Sequence, residues 1–108
     1  MSKTTIDLPI SPEDVKAGGD VTVWKVAIDP EPGVVGIDVP FGAELLSARE
    51  QGDNVAIWFR CNPSRSTYPR KIALVETGKA APTKASGRYL GTAVFGGGAY
   101  VLHVFEPI

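Results

Sequence analysis

The sequence predicts an all-β fold, a single compact β-sandwich or small barrel of about seven short antiparallel strands. Short runs of β-branched and aromatic residues recur along the chain, and clusters of glycine, proline, asparagine and aspartate separate them. The clearest case is the carboxyl-terminal stretch, where apolar runs over 88–95 and 99–105 flank Gly96–Gly98. Glycine adopts positive φ without a steric penalty, so this triplet predicts a β-hairpin.

The elements follow in order from the amino terminus. Residues 1–20 are predicted to be a peripheral segment with a short helical turn, because Ser11 suits an N-cap and Pro12 suits the first helical position. Residues 21–108 are predicted to form the single all-β domain. The segment 43–50 contains good helix formers, but it is short and lies between two turn signals, so we interpret it as a strand. The predicted strands span 21–28, 34–39, 43–50, 54–61, 70–77, 88–95 and 99–105.

The register of the terminal hairpin follows from the position of its turn. If the last two glycines of the triplet form the loop, Phe95 opposes Tyr100 and Thr92 opposes His103. One face of the hairpin then carries Ala93, Phe95, Tyr100, Leu102 and Val104, and the other carries Leu90, Val94, Val101 and Phe105. Because both faces are apolar, we expect the hairpin to be covered on both sides.

Composition places the chain among single-domain globular proteins, since it has 108 residues of which 44% are hydrophobic. The single cysteine excludes an intrachain disulfide, and the sequence shows no secretory signal and no apolar run of membrane-spanning length. We therefore expect a cytoplasmic protein without membrane contact. The net charge of −1 hides an asymmetry, because residues 1–54 carry a net charge of −6 and residues 55–108 carry +5.

Two side chains are candidates for catalysis. His103 is the only histidine, and it could act as a general base or a metal ligand, or as a hydrogen-bonded structural residue in a strand. With no second histidine and no carboxylate pair at ligand spacing, the structural role is favoured. Cys61 has Arg60 and Arg65 nearby, which would lower a thiol pKa, but an inert buried thiol is the favoured interpretation. We predict no catalytic residue, no metal and no cofactor.

The tryptophans and the central strand indicate where the core lies. In the strand over 54–61, alternation places Val55, Ile57 and Phe59 on one face. Trp24 and Trp58 are most simply core residues, and exposure of either would mark a binding face.

The basic stretch from Arg60 to Lys71 is the best candidate for a binding site. It contains four cations and no acid, together with several hydroxyl groups, and an exposed loop is predicted over 62–69. Guanidinium and hydroxyl groups together suit a phosphate or another anion, and a tyrosine could stack on a base. The alternative is a solvated loop whose charges face the acidic half of the chain. The predicted ligand- or partner-binding residues are Arg60, Arg65, Tyr68, Arg70 and Lys71.

Several short segments, taken in their order along the sequence, resemble a small family of uncharacterised all-β proteins encoded by bacteriophages and prophages. Together these segments cover roughly residues 23–106. The resemblance implies a phage or prophage origin, and it carries no assigned activity and no catalytic residue. The segments are Val23-Trp-Lys25, Pro40-Phe-Gly-Ala43, Leu45-Leu-Ser47, Ala56-Ile-Trp-Phe59, Thr77-Gly78, Tyr89-Leu-Gly-Thr92 and His103-Val-Phe-Glu106.

The function expected from these observations is a non-enzymatic binding or interaction protein of phage type, acting in the cytoplasm of the bacterial host. Its partner would be a host protein or a small anionic ligand. Nucleic acid is a less favoured partner, because nucleic-acid-binding proteins are usually more basic than this chain. The alternative hypothesis is a virion accessory or self-assembling structural protein, in which the acidic and basic halves meet between the subunits of a homo-oligomer.

Overall fold

The structure, a computed structural model, describes residues 21–80 and 87–107 and confirms the all-β prediction. Seven strands form one sheet that curls into a nearly closed barrel. The predicted helical turn near Ser11 and the predicted peripheral segment 1–20 lie outside the described residues. The strands are β1 (Thr22–Ile28), β2 (Gly33–Pro40), β3 (Glu44–Gln51), β4 (Asn54–Cys61), β5 (Thr67–Glu76), β6 (Arg88–Phe95) and β7 (Tyr100–Glu106).

The sheet consists of two antiparallel halves that are joined at one parallel seam. The strand order is β1-β4-β3-β6-β7-β5-β2, so β1 and β2 are the two edges. All neighbours pair antiparallel except β3 and β6, which run parallel and share the pair Ala48 and Gly91. The prediction of antiparallel strands is therefore wrong at this seam. β3 and β6 belong to different hairpins, and no tight turn between them sets their relative direction.

Alternation along the strands builds the core of the barrel. The prediction for β4 is confirmed, because Val55, Ile57 and Phe59 are all buried on one face of that strand. The inward side chains of β5 and β7 complete the interior from the other half of the sheet. The largest fully buried side chains of the core are Leu45, Ile57, Ile72, Leu74, Leu102, Val39, Val55 and Val104.

The terminal hairpin has the predicted register near its turn. Phe95 pairs with Tyr100, and Thr92 pairs with His103. The three glycines of the turn have φ values of 58°, 66° and 104°, a region that other residues rarely adopt. The glycine triplet is thus required by the backbone conformation of the turn.

A β-bulge corrects the predicted faces of this hairpin. The register shifts between Tyr89 and Gly91, so the intervening Leu90 turns into the core, where it is 6% exposed. The prediction that Leu90 lies on the outer face is therefore wrong. The prediction that both faces of the hairpin are covered is also wrong, because two side chains of the outer face are exposed. Tyr89 and Val94 on the outer face are 56% and 42% exposed.

The strand β5 begins at Thr67, three residues before its predicted start. Tyr68 and Pro69 therefore belong to the strand, and the preceding loop is confined to 62–66. A proline is tolerated at this place because β5 pairs with β7 only from Ala73 onward, which leaves one side of the strand without a ladder at Pro69.

Trp24 is not a core residue, contrary to prediction. It lies on the edge strand β1 opposite the buried Phe59, and its side chain is 46% exposed. An edge strand has a neighbour on one side only, so a large side chain there is covered incompletely. Trp58, on the outer side of β4, is half-buried.

The side chain of Glu50 adds a hydrogen bond between β3 and β6, in addition to the one residue pair that joins these parallel strands. The backbone N–H of Val94 on β6 donates to Oε1 of Glu50 on β3 over 2.9 Å. This hydrogen bond lowers the pKa of Glu50 below the ordinary value of 4.5, and the neighbouring Arg49 lowers it further. The charged form of Glu50 therefore stabilises the contact between the two halves of the sheet.

We expect the variant Glu50→Gln to show a distinct pH dependence of stability. The folded pKa of Glu50 is depressed, so its contribution is complete above pH 4.5 and is lost as the pH falls through the folded pKa. The native chain should unfold at higher denaturant concentration than the variant at pH 7, and the two midpoints should converge as the pH falls through the folded pKa of Glu50. Urea titrations monitored by tryptophan fluorescence measure this. A difference that stays constant across the range would contradict the role of the charge.

Candidate functional site

The predicted binding residues lie at one end of the barrel, but they do not form one surface. This basic end comprises the end of β4, the loop 62–66 and the start of β5, together with the β2–β3 turn that packs on them. The five predicted residues fall into different environments, and only Arg65 and Tyr68 share a neighbour. Two of them are engaged in ion pairs within the chain, and one lies on the opposite face of β5 from its neighbours.

Arg70 is bound within the fold by hydrogen bonds to two other parts of the chain. Its side chain is only 18% exposed, and its Nε and Nη2 both donate to Oε2 of Glu106 at the end of β7. Its Nη1 donates to the backbone carbonyl of Ala43 over 2.7 Å. One guanidinium thus joins β5, β7 and the β2–β3 turn, which a planar group with several N–H donors can do and an ammonium cannot.

Arg60 is paired on the outer side of the sheet. It lies opposite Glu44 in the β3–β4 register, and the two side chains form an ion pair. Because β4 from the basic half of the sequence lies between β1 and β3 from the acidic half, charges of the two halves meet within one chain here. The pair is exposed, so it contributes little to folding.

Arg65 and Tyr68 share an aromatic neighbour, Phe41, which is not among the predicted binding residues. The ring centroids of Tyr68 and Phe41 are 5.2 Å apart, and the guanidinium carbon of Arg65 lies 5.9 Å from the centroid of Phe41. We call Phe41, Arg65 and Tyr68 the stacked cluster. All three side chains are half-buried, so the guanidinium is held against a ring at the protein surface.

Local hydrogen bonds shape the loop that carries Arg65. The side chain of Asn62 accepts from both the backbone N–H and the hydroxyl of Ser64, at 3.0 and 2.7 Å. The backbone N–H of Arg65 donates to the carbonyl of Asn62, and that of Phe41 donates to the carbonyl of Ser66. The loop and the β2–β3 turn are therefore fixed to each other, and the stacked cluster is formed before any ligand arrives.

Lys71 points away from the stacked cluster. Side chains alternate along β5, so Tyr68 and Arg70 face the interior side of the sheet while Lys71 faces outward and is exposed. Within the part of the chain that the structure describes, its ammonium makes no hydrogen bond or ion pair.

The two catalytic candidates are on different sides of the sheet. His103 is half-buried on the outer face of β7, where Nε2 lies 2.7 Å from Oγ1 of Thr77 and Nδ1 lies 3.2 Å from Oγ1 of Thr92. Cys61 is fully buried in the core, and burial raises the pKa of its thiol, which lowers its nucleophilicity at neutral pH.

Other features of the described residues do not add to this site. Residues 21–80 and 87–107 contain no group of three or more histidine, cysteine, aspartate or glutamate side chains that could hold a metal ion. Nor do they include a helix with the length and apolar character to cross a bilayer. A cleft of about 420 Å³ beside the β1–β2 connection, lined in part by Ile28, Glu31 and Leu74, lies at the opposite end of β2 from Phe41.

Comparison with known proteins identifies a family without assigning a function. The sequence profile of a domain of unknown function, DUF7352, matches residues 20–108, which is most of the chain. No curated protein and no solved structure matches this chain significantly. The matched region begins one residue before the predicted start of the all-β domain and includes every described strand. The chain therefore belongs to the DUF7352 family.

Proposed function

We propose that this protein is a non-enzymatic binding protein that contacts an anionic group through the stacked cluster at its basic end. The anionic group would belong to a small ligand or to a host protein. The observation that supports this most is the position of the Arg65 guanidinium, which lies over the ring of Phe41, the same ring that packs against Tyr68. A guanidinium held over an aromatic ring offers directional N–H donors to a phosphate or a carboxylate.

The fixed loop supports the same proposal. Binding costs less when the contacting residues are already ordered, and the loop 62–66 is held by hydrogen bonds to Asn62 and to the β2–β3 turn. Lys71, exposed on the outer side of β5, adds positive potential near this end of the barrel, whereas Arg60 is paired with Glu44 and Arg70 with Glu106. The resemblance to phage and prophage proteins supports a place of action in the cytoplasm of an infected bacterium.

We expect the variant Arg65→Glu to lose an anionic partner that the native chain retains. Immobilised native chain and variant are exposed to bacterial lysate, and the bound proteins and small molecules are identified by mass spectrometry. The matched control is Lys79→Glu, which makes the same charge change in the exposed turn after β5. The ten residues of β5 separate the two sites by about 30 Å.

The outcomes of this capture experiment are distinct. Retention by the native chain and by Lys79→Glu, with loss from a folded Arg65→Glu, supports binding at the stacked cluster. Equal capture by all three chains, or loss from both variants, contradicts it. Thermal melting of each variant shows that the comparison is made between folded proteins.

A second candidate function is self-assembly, as expected of a virion accessory protein. The observation that favours it is the exposed edge strand β1, where Val23 and Trp24 are 54% and 46% exposed. Light scattering over a series of protein concentrations separates the two candidates. The mass of a single chain at every concentration counts against self-assembly.

A further inference from the structure

Four polar side chains form a continuous hydrogen-bonded chain on the outer side of β6, β7 and the turn that follows β5. The hydroxyl of Tyr89 bonds to Oγ1 of Thr92, which lies 3.2 Å from Nδ1 of His103. On the other side of the imidazole, Nε2 lies 2.7 Å from Oγ1 of Thr77. Tyr89 and Thr77, at the two ends of this polar chain, are exposed, while Thr92 and His103 between them are half-buried.

The nine positions immediately around the polar chain contain no aspartate, glutamate, lysine or arginine. These outward positions follow from the register of the three strands, in which Thr92 pairs with His103 and His103 pairs with Val75. A fifth of the residues in the protein are charged, so nine neighbouring outward positions without aspartate, glutamate, lysine or arginine are unusual. The exposed Lys71 lies just beyond them, one outward position before Ala73 on β5. The nine positions are Ala73, Val75, Thr77, Tyr89, Thr92, Val94, Val101, His103 and Phe105.

The imidazole fixes the hydrogen-bonding character of the two ends. A neutral imidazole has one N–H donor and one acceptor nitrogen, so it donates to one threonine and accepts from the other. If Nδ1 carries the proton, it donates to Thr92, whose hydroxyl donates to Tyr89. The hydroxyl of Tyr89 can then donate to a ligand. At the other end Thr77 donates to Nε2, and its Oγ1 can accept a hydrogen bond from a ligand. The other tautomer reverses both roles. In either case one end of the polar chain donates and the other end accepts.

An exposed aromatic ring lies at one end of this polar chain. Tyr89 is 56% exposed, and its ring is tilted against that of Phe105 at a centroid distance of 5.6 Å, which supports it from below. A supported ring offers an apolar platform on which the C–H face of a flat ligand can stack.

From this combination we infer that the outer face of β5, β7 and β6 binds a neutral saccharide. A sugar ring has an apolar C–H face for Tyr89, and its hydroxyl groups both donate and accept, which matches one donating and one accepting end. An anion would find no cation among the nine positions. The site is separate from the stacked cluster, because Phe41, Arg65 and Tyr68 are not among them.

The inference is tested with an array of neutral and anionic glycans, probed with the full chain, followed by calorimetry with the soluble form of the strongest neutral glycan. We expect a neutral glycan to bind, and Thr77→Val and Tyr89→Ala each to weaken its binding roughly ten-fold, the loss of one hydrogen bond or one stacking contact. The matched control is Thr22→Val, which removes an exposed threonine hydroxyl from β1 and should leave the affinity unchanged.

The outcomes against the inference are equally defined. It is overturned if no neutral glycan binds, if only anionic glycans bind, or if Thr77→Val and Tyr89→Ala bind as tightly as Thr22→Val while all are folded by circular dichroism. Arg65→Glu, which tests the stacked cluster, should leave the glycan affinity unchanged. Failure of one site is therefore distinguishable from failure of the other.

Discussion

Replacing Gly91 by alanine is expected to lower the free energy of unfolding by about 3 kcal/mol. A Cβ at this position would lie 2.9 Å from the carbonyl carbon of Ala48 and closer still to its oxygen. The obstacle is backbone, which cannot rotate away as a side chain can. The added methyl group therefore forces β3 and β6 apart at the residue pair through which the two strands are joined.

The matched control for this prediction is Gly36→Ala. A Cβ at Gly36 meets nothing within 4 Å and the glycine does not have positive φ, so the same chemical change should leave stability unchanged or slightly higher. Thermal unfolding of both variants gives the comparison, with a midpoint lower by roughly 12 to 24 °C for Gly91→Ala. Equal midpoints for the two variants would show that the seam tolerates separation and is not needed for the barrel.

Replacing Arg70 by methionine is expected to cost about 3 kcal/mol of stability, because it leaves the carboxylate of Glu106 without its partner in a poorly solvated place. The two side chains are 18% and 20% exposed. The carbonyl of Ala43 also loses the guanidinium as its donor. Urea unfolding of the variant and of the native chain measures the difference.

Two further variants show whether this loss comes from the ion pair. Arg60→Met breaks the exposed pair with Glu44 and should cost less than about 1 kcal/mol. The double variant Arg70→Met with Glu106→Met should be more stable than the sum of the single effects predicts, because it removes both charges together. Additive effects would contradict the assigned coupling.

The role of Arg70 changes how binding at the basic end is tested. From the sequence, charge reversal of Arg65 together with Arg70 is a natural test of binding, since both cations lie in one stretch without an acid. In the structure, reversal of Arg70 would place two carboxylates against each other and destabilise the fold. Reversal of Arg65 leaves the ion pair between Arg70 and Glu106 in place, so it is the cleaner test of binding.

Much of the fold could be predicted because it depends on local signals. The register near the hairpin turn follows from the glycine triplet, and the buried face of β4 follows from alternation. The parallel pair between Ala48 and Gly91 joins strands that are distant in sequence, so no local pattern indicates it. The bulge at Leu90 lies at the end of the hairpin away from the glycine turn, where the turn no longer sets the register. The sequence predicts a loop over 62–69, whereas residues 67–69 belong to β5. A proline fits there because β5 has no β7 partner beside it, which is a property of the assembled sheet.

The candidate sites were predicted less completely than the fold. The basic stretch showed where cations are dense, but the partners of Arg60 and Arg70 come from β3 and β7. Phe41 lies in a turn signal, and nothing in the sequence showed that it packs against Arg65. The four members of the polar chain come from two strands and a turn, so their contact becomes visible only when the sheet is assembled.

The claim that the basic end is the binding surface is tested most directly by titrating ¹⁵N-labelled protein with pyrophosphate at low salt and following the backbone amide signals. We expect the signals of Phe41 and of residues 64–68 to shift in a saturable manner, and those of the turn 77–79 to stay in place. The same titration of Arg65→Glu should give no saturable shifts. Saturable shifts confined to other parts of the barrel, or none at all, would contradict the claim.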